Sequence, residues 1–164
     1  MLLRVWRLSS LDGRMLLIIA TVFALLAAAA HDAPGAAAGV LAAGAGAMEL
    51  HGSNRLREGD AEAVRWLIAS QLGLLVVVLG YVTVRLTLLR PELIEERITP
   101  QIAAQFAAAG VSREAIPELV QQVARWAYGL LALGSCAYQG GMAWYFQRSR
   151  RAIRSALGSP PAAE

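Results

Sequence analysis

The sequence predicts an all-α integral membrane protein, a four-helix bundle whose N- and C-termini are cytoplasmic. Two observations point to this fold class. Two apolar runs, at about 64–89 and 123–147, are long enough to cross a bilayer, because about 20 apolar residues span the roughly 30 Å hydrocarbon core. In addition, 57% of the residues are hydrophobic and only 16% are charged, which is typical of a chain that exposes apolar surface to lipid.

Two weaker apolar segments precede these runs. The first, at about 15–31, follows residues 1–14, which mix apolar side chains with three arginines and are expected to lie at the cytoplasmic interface. The second, at about 34–50, contains four glycines and is only weakly apolar. Asp32 can cap this second helix, and Pro34 is tolerated in its first turn, so the two segments are predicted to form a helical hairpin.

The arginines decide between the possible topologies, because short cytoplasmic loops carry an excess of basic residues. All fifteen basic residues are arginine. If 34–50 does not cross the membrane, they divide eight to seven between the two sides; if it crosses, ten lie inside and five outside. We therefore expect four spans in the cell (inner) membrane. Two alternatives stay open: that 34–50 does not span, and that residues 1–30 act as a cleaved signal peptide.

Residues 91–122, between the last two spans, are predicted to form a small amphipathic helical cap on the non-cytoplasmic side. Thr99 and Pro100 are typical of a helix start, and Gly110 of a helix end. Ser112 begins a further helix that we expect to continue into the last span. Residues 148–164 are predicted to be a basic cytoplasmic tail. Four arginines there should hold the orientation of the chain and contact lipid headgroups: Arg148, Arg150, Arg151 and Arg154.

Small residues at intervals of about four predict close helix packing, because they allow two backbones to approach in lipid. The second and fourth spans carry these candidates: Gly35, Gly39, Ala43, Gly46, Ala132, Cys136 and Gly140. Gln71 and Gln139 are polar groups within predicted spans, where they are costly unless paired. We expect them to hydrogen-bond each other between adjacent helices, or to line a substrate path.

The chemistry of known catalytic and cofactor sites is missing from the sequence. The predicted topology puts His31 and His51 on opposite sides of the membrane, so they cannot share a metal. Glu49 is expected to be solvated near the headgroups, and Cys136 to be inert at lipid depth. A copper site formed by Met48, His51 and Met142 is a weak alternative. We predict no catalytic residue, cofactor or metal, and hence no enzyme.

By elimination, the sequence favours a non-catalytic accessory or scaffold subunit. The alternative is a small oligomeric transporter or channel built around Gln71 and Gln139. The expected partners are the lipid bilayer and either another membrane protein or a second copy of the chain. Nucleic acid is excluded, because the arginines flank apolar spans and do not form a basic face with interleaved aromatic residues.

Overall fold

The computed structural model describes residues 2–60, 62–90, 94–95 and 98–158. These residues form helices and no strands, so the predicted all-α class is confirmed. The elements are α1 (Leu2–Ala29), α2 (Ala33–Arg57), α3 (Ala63–Leu88), α4 (Pro100–Ala108), a 3-10 turn (Arg113–Ala115) and α5 (Ile116–Gly158).

Two of the described helices are long and apolar enough to cross a membrane: the Trp6–Ala29 part of α1, and α3. This is two fewer than the sequence interpretation expects. The difference has a compositional cause. Alanine and glycine, which are only weakly apolar, dominate α2, and α5 interrupts its apolar stretches with arginine, glutamine and glutamate.

The predicted turn between the first two helices is confirmed. The Asp32 carboxylate accepts a hydrogen bond from the backbone N–H of Gly35 at 3.2 Å, and Pro34 lies in the first turn of α2. His31 has a φ of 56°, in the left-handed region, and thereby reverses the chain between α1 and α2. The predicted start of α4 is also confirmed, because the Thr99 hydroxyl accepts a hydrogen bond from Ile102 N at 3.4 Å.

The last helix is longer than the predicted span. It begins at Ile116, shortly after Ser112, and continues without a break to Gly158. Gly110, with a φ of 78°, separates it from α4, as the sequence indicates. One helix therefore contains the end of the predicted cap, the last apolar run and the arginines that follow it.

The chain divides into two compact units. One comprises the described residues of Met1–Tyr81 and Ser135–Glu164, and the other those of Val82–Gly134. The second unit is held partly by Ile116, which is buried, and by Gln121, whose side-chain amide donates to the backbone oxygen of Leu89 at 3.0 Å.

The hydrophobic core of the first unit lies where four helices meet. It consists of Leu56, Ala63, Val64, Leu67, Phe146 and Ile153, with Trp6 packed against it. The end of α2, the start of α3 and the later part of α5 thus share one cluster with the start of α1. This arrangement fits helices that alternate in direction.

Candidate functional site: a buried polar cluster

The packing of α1 against α2 determines which residues of the two helices lie side by side at the site. A Cβ atom added to Gly39 would lie 2.7 Å from the Cβ of Ala24 and 2.8 Å from its backbone nitrogen. One added to Gly46 would lie 2.9 Å from the backbone nitrogen of Leu17. Because only glycine allows this approach, the two helices pack backbone against backbone.

The same register brings two acidic residues to one level of the hairpin. Next to Asp12, Gly13 lets α2 approach so closely that an added Cβ would lie 3.3 Å from the Cβ of Glu49. Asp12 and Glu49 lie at almost equal distances along the chain from the turn at His31. The fold therefore places a carboxylate of α1 beside a carboxylate of α2.

Gln71 of α3 and Tyr138 of α5 complete the group. The Nε2 atom of Gln71 donates to Glu49 Oε2 at 3.0 Å and to Asp12 Oδ2 at 3.3 Å. The hydroxyl of Tyr138 donates to Asp12 Oδ1 at 2.9 Å. We call Asp12, Glu49, Gln71 and Tyr138 the polar cluster; each of the four helices contributes one of its residues.

Burial changes across the polar cluster. Glu49 is 0% exposed and Gln71 is 1% exposed, whereas Tyr138 is 51% exposed and Asp12 is half-buried. The cluster is therefore closed on the Glu49 side and open on the Tyr138 side.

The polar cluster has more acceptors than donors. Glu49 Oε1 and Gln71 Oε1 are both buried without a hydrogen-bond partner. Within the described residues, only the neutral donors of Gln71 and Tyr138 contact the two carboxylates. Buried acceptors and carboxylates are costly without a matching donor or a positive charge. This arrangement can take up a cation.

The expectation that Glu49 is solvated is wrong. It is completely buried, because α2 continues past the predicted end of its span to Arg57 and carries the carboxylate into the contact with α1 and α3. His51, two residues later, lies on the exposed side of α2, where its ring contacts that of Trp66 with centroids 5.0 Å apart. Glu49 and His51 thus face different surroundings.

The two glutamines singled out from the sequence are both buried in the first unit. Gln71 uses its amide for the carboxylates of Asp12 and Glu49. Gln139 follows Tyr138 on α5, and its Oε1 is buried without a partner. The predicted hydrogen bond between Gln71 and Gln139 does not form, because the Oε1 atoms of both glutamines lack a hydrogen-bond partner.

The candidate packing residues occupy two kinds of environment. Gly35, Gly39 and Gly46 are buried on the side of α2 that meets α1, and Ala43 is half-buried. On α5, Cys136 is exposed, and a Cβ added to Gly140 would meet no atom within 4 Å in the described part of the chain. Ala132 is half-buried.

The arginines after the last apolar run also differ from one another. The Arg148 guanidinium lies 5.5 Å from the ring centroid of Trp144, and Arg151 is exposed. Arg150 lies 3.7 Å from the Glu62 carboxylate. The side chain of Arg154 and residues 159–164 of the predicted tail lie outside the described part of the structure.

Groups of three or more histidine, cysteine, aspartate or glutamate side chains that could hold a metal ion do not occur among the described residues. Comparisons of the chain with protein-family models, curated proteins and solved structures found no match. Arguments about the function therefore rest on the structure of the protein itself.

Proposed function

We propose that the protein is a multi-pass protein of the cell (inner) membrane that crosses the bilayer four times and serves as a non-catalytic accessory or scaffold subunit. The four-span topology is supported by the distribution of arginines, ten of fifteen on the cytoplasmic side. It is further supported by the hydrophobic core, where the start of α1 meets the end of α2 and the start of α3.

The contact between α1 and α2 supports the proposed crossing of the weakly apolar α2. Its backbone hydrogen bonds are internal to the helix, and Gly35, Gly39 and Gly46 lie against α1. The strongly apolar α1 then supplies the lipid-facing surface, with Ile18, Leu25 and Leu26 each about 60% exposed or more. The hairpin can insert as one unit.

The subunit role rests on one observation, the open row of small residues on α5. The equivalent row on α2 is already packed against α1, whereas Cys136 is exposed and a Cβ added to Gly140 would meet no atom within 4 Å among the described residues. A helix of a partner membrane protein, or of a second copy, fits such a surface.

Isolation of the full-length protein from native membranes in mild detergent tests this role. We expect a stoichiometric complex, either with another membrane protein or with itself. The double variant Cys136→Leu/Gly140→Leu should dissociate it, because the larger side chains prevent close approach. The matched control is Gly134→Leu: this glycine is also open but lies on the opposite side of α5, so the complex should persist.

Isolation of the wild-type protein as a monomer without a stoichiometric partner contradicts the subunit role. A complex that resists the double variant but is lost with the control contradicts the assignment of the binding surface to the Cys136 side of α5.

A second candidate function, a small oligomeric transporter or channel, is favoured by the polar cluster. Ionisable residues inside membrane bundles commonly mark ion or substrate paths. Replacement of Gln71 and Gln139 together by leucine separates the two functions in liposomes. Loss of solute flux from a folded protein favours transport, and loss of stability alone favours the subunit role.

A further inference from the structure

We propose that Asp12, Glu49 and Gln71 form a binding site for one monovalent cation, either a proton or Na⁺. The carboxylate and amide oxygens of these residues are the ligands. The inference does not depend on the subunit role, because it rests on the interior of the first unit and not on any surface of α5.

The first argument for a cation is the charge balance of the site. Two carboxylates lie close enough to share the same amide donor, Gln71 Nε2, at 3.0 and 3.3 Å. The other donor is the neutral phenol of Tyr138. Such a pair, removed from water at Glu49, calls for a positive charge. One proton or one Na⁺ leaves a single negative charge, which the two neutral donors can stabilise by hydrogen bonds.

The second argument is that two buried oxygen atoms in the site have no hydrogen-bond partner. Glu49 Oε1 and Gln71 Oε1 are buried acceptors on two different helices, and the amide that carries Gln71 Oε1 lies beside both carboxylates, to which its Nε2 donates. A proton on Glu49 converts one acceptor into a donor, and Na⁺ is bound by carboxylate and carbonyl oxygens as a hard cation. Either ligand removes part of the excess of acceptors.

The third argument is the set of charged and titratable groups around the site. The titratable groups that face the site are Asp12 of α1, Glu49 of α2 and Tyr138 of α5, while α3 contributes the neutral amide of Gln71. Arg7 and Arg14 of α1 and His51 of α2 have exposed side chains. Among the described side chains, no positive group contacts the two carboxylates, so the proposed ligand supplies the positive charge; Tyr138, at the edge of the site, is 51% exposed.

Thermal unfolding of the full-length protein in detergent tests the site. The melting temperature is measured over a pH series at constant ionic strength, with NaCl replaced stepwise by choline chloride. A Na⁺ site predicts a rise of about 3–5 °C when Na⁺ exceeds its dissociation constant tenfold. A proton site predicts no difference between the two salts and a pH dependence that requires Glu49.

Two variants distinguish a response of the melting temperature that comes from the site from general effects of pH and salt. Glu49→Gln, which mimics the protonated carboxyl, should lose the Na⁺ response or the Glu49-dependent part of the pH response. Glu58→Gln is the matched control, since this exposed glutamate follows the end of the same helix. A response that is equal in the wild-type protein and in both variants overturns the proposal.

Infrared difference spectra of the wild-type protein keep the test decisive if Glu49→Gln does not fold. Protonation of a carboxylate between two pH values should produce the C=O stretching band of a carboxylic acid, and Na⁺ binding should shift the carboxylate stretching bands. Asp12→Asn, which keeps the shape of the side chain but removes its charge, should change the pH at which this band appears and weaken the Na⁺-induced shift. The absence of both signals from the wild-type protein overturns the proposal.

Discussion

Gln71 is the residue on which the polar cluster depends, because its amide donates to both carboxylates. Replacement of Gln71 by leucine leaves Asp12 and Glu49 without their shared donor. We expect the free energy of unfolding to fall by about 1–3 kcal/mol for each carboxylate oxygen left unpaired in a buried position. Unfolding in detergent by added SDS measures the difference from the wild-type protein.

Gln139→Leu provides the comparison at a second buried glutamine. Its Oε1 has no partner, so leucine removes an unsatisfied acceptor and should leave stability unchanged or slightly higher. Equal destabilisation by the two substitutions would contradict the special role of Gln71 as the donor shared by the two carboxylates.

Sequence reasoning identified Gln71 but missed its partners, and the reason lies in depth along the helix. Asp12 lies about 17 residues before the end of α1, which corresponds to about 26 Å at 1.5 Å per residue. In the proposed topology, Asp12 and Glu49 thus fall near the boundary of a hydrocarbon core of roughly 30 Å, where a carboxylate is expected to reach water. Asp12 and Glu49 lie at nearly equal distances along the chain from the predicted turn, and this feature of the sequence could have predicted that they are neighbours.

At the scale of the elements, the α1–α2 hairpin is held by glycines that no larger residue can replace without moving a backbone. A Cβ on Gly39 would meet the Cα, the Cβ and the nitrogen of Ala24 at 2.7–2.8 Å. We therefore expect Gly39→Ala to lower the free energy of unfolding by about 1–3 kcal/mol, because the helices must separate to accept one methyl group.

Gly44→Ala is the matched control for this prediction. Gly44 lies on the same helix, and an added Cβ would meet no atom within 4 Å in the described chain. Alanine should leave stability unchanged or raise it by up to about 1 kcal/mol through its helix propensity. The same SDS titration compares both variants, and equal effects at the two positions would contradict the packing of Gly39 against Ala24.

The helix ends were predictable because local chemistry determines them. Asp32 and Pro34 start α2, Thr99 starts α4, and Gly110 ends it, as the capping preferences of these residues indicate. The partners of each helix face were less predictable. The rows of small residues on α2 and α5 look alike in sequence, yet only the row on α2 meets another helix within the described chain, since spacing does not identify a partner.

At the scale of the whole molecule, membrane topology depends on charge as much as on apolarity. Among the helices that the structure describes, α1 and α3 are long and apolar enough to cross a membrane. An odd number of crossings would leave the fifteen arginines almost evenly divided, which contradicts the usual cytoplasmic excess. In the proposed topology, α2 crosses the membrane paired with α1, and α5 crosses it packed against the other helices at the hydrophobic core.

Labelling of single cysteines with an impermeant thiol reagent tests this topology. In a Cys136→Ser background, Asn54→Cys should be labelled only after the membrane is opened, and Gln101→Cys should be labelled in intact cells. Both positions are exposed, whereas the neighbouring Ser53 is 0% exposed and would resist the reagent on either side. The unsubstituted protein is a separate control, because its Cys136 is exposed on a predicted span and should react poorly within lipid. Labelling of Asn54→Cys in intact cells would contradict four spans and indicate that α2 does not cross. The ten arginines assigned to the cytoplasmic side would then be divided between the two sides. Trp6 and Leu56, which meet at the hydrophobic core, would lie on opposite sides of the membrane.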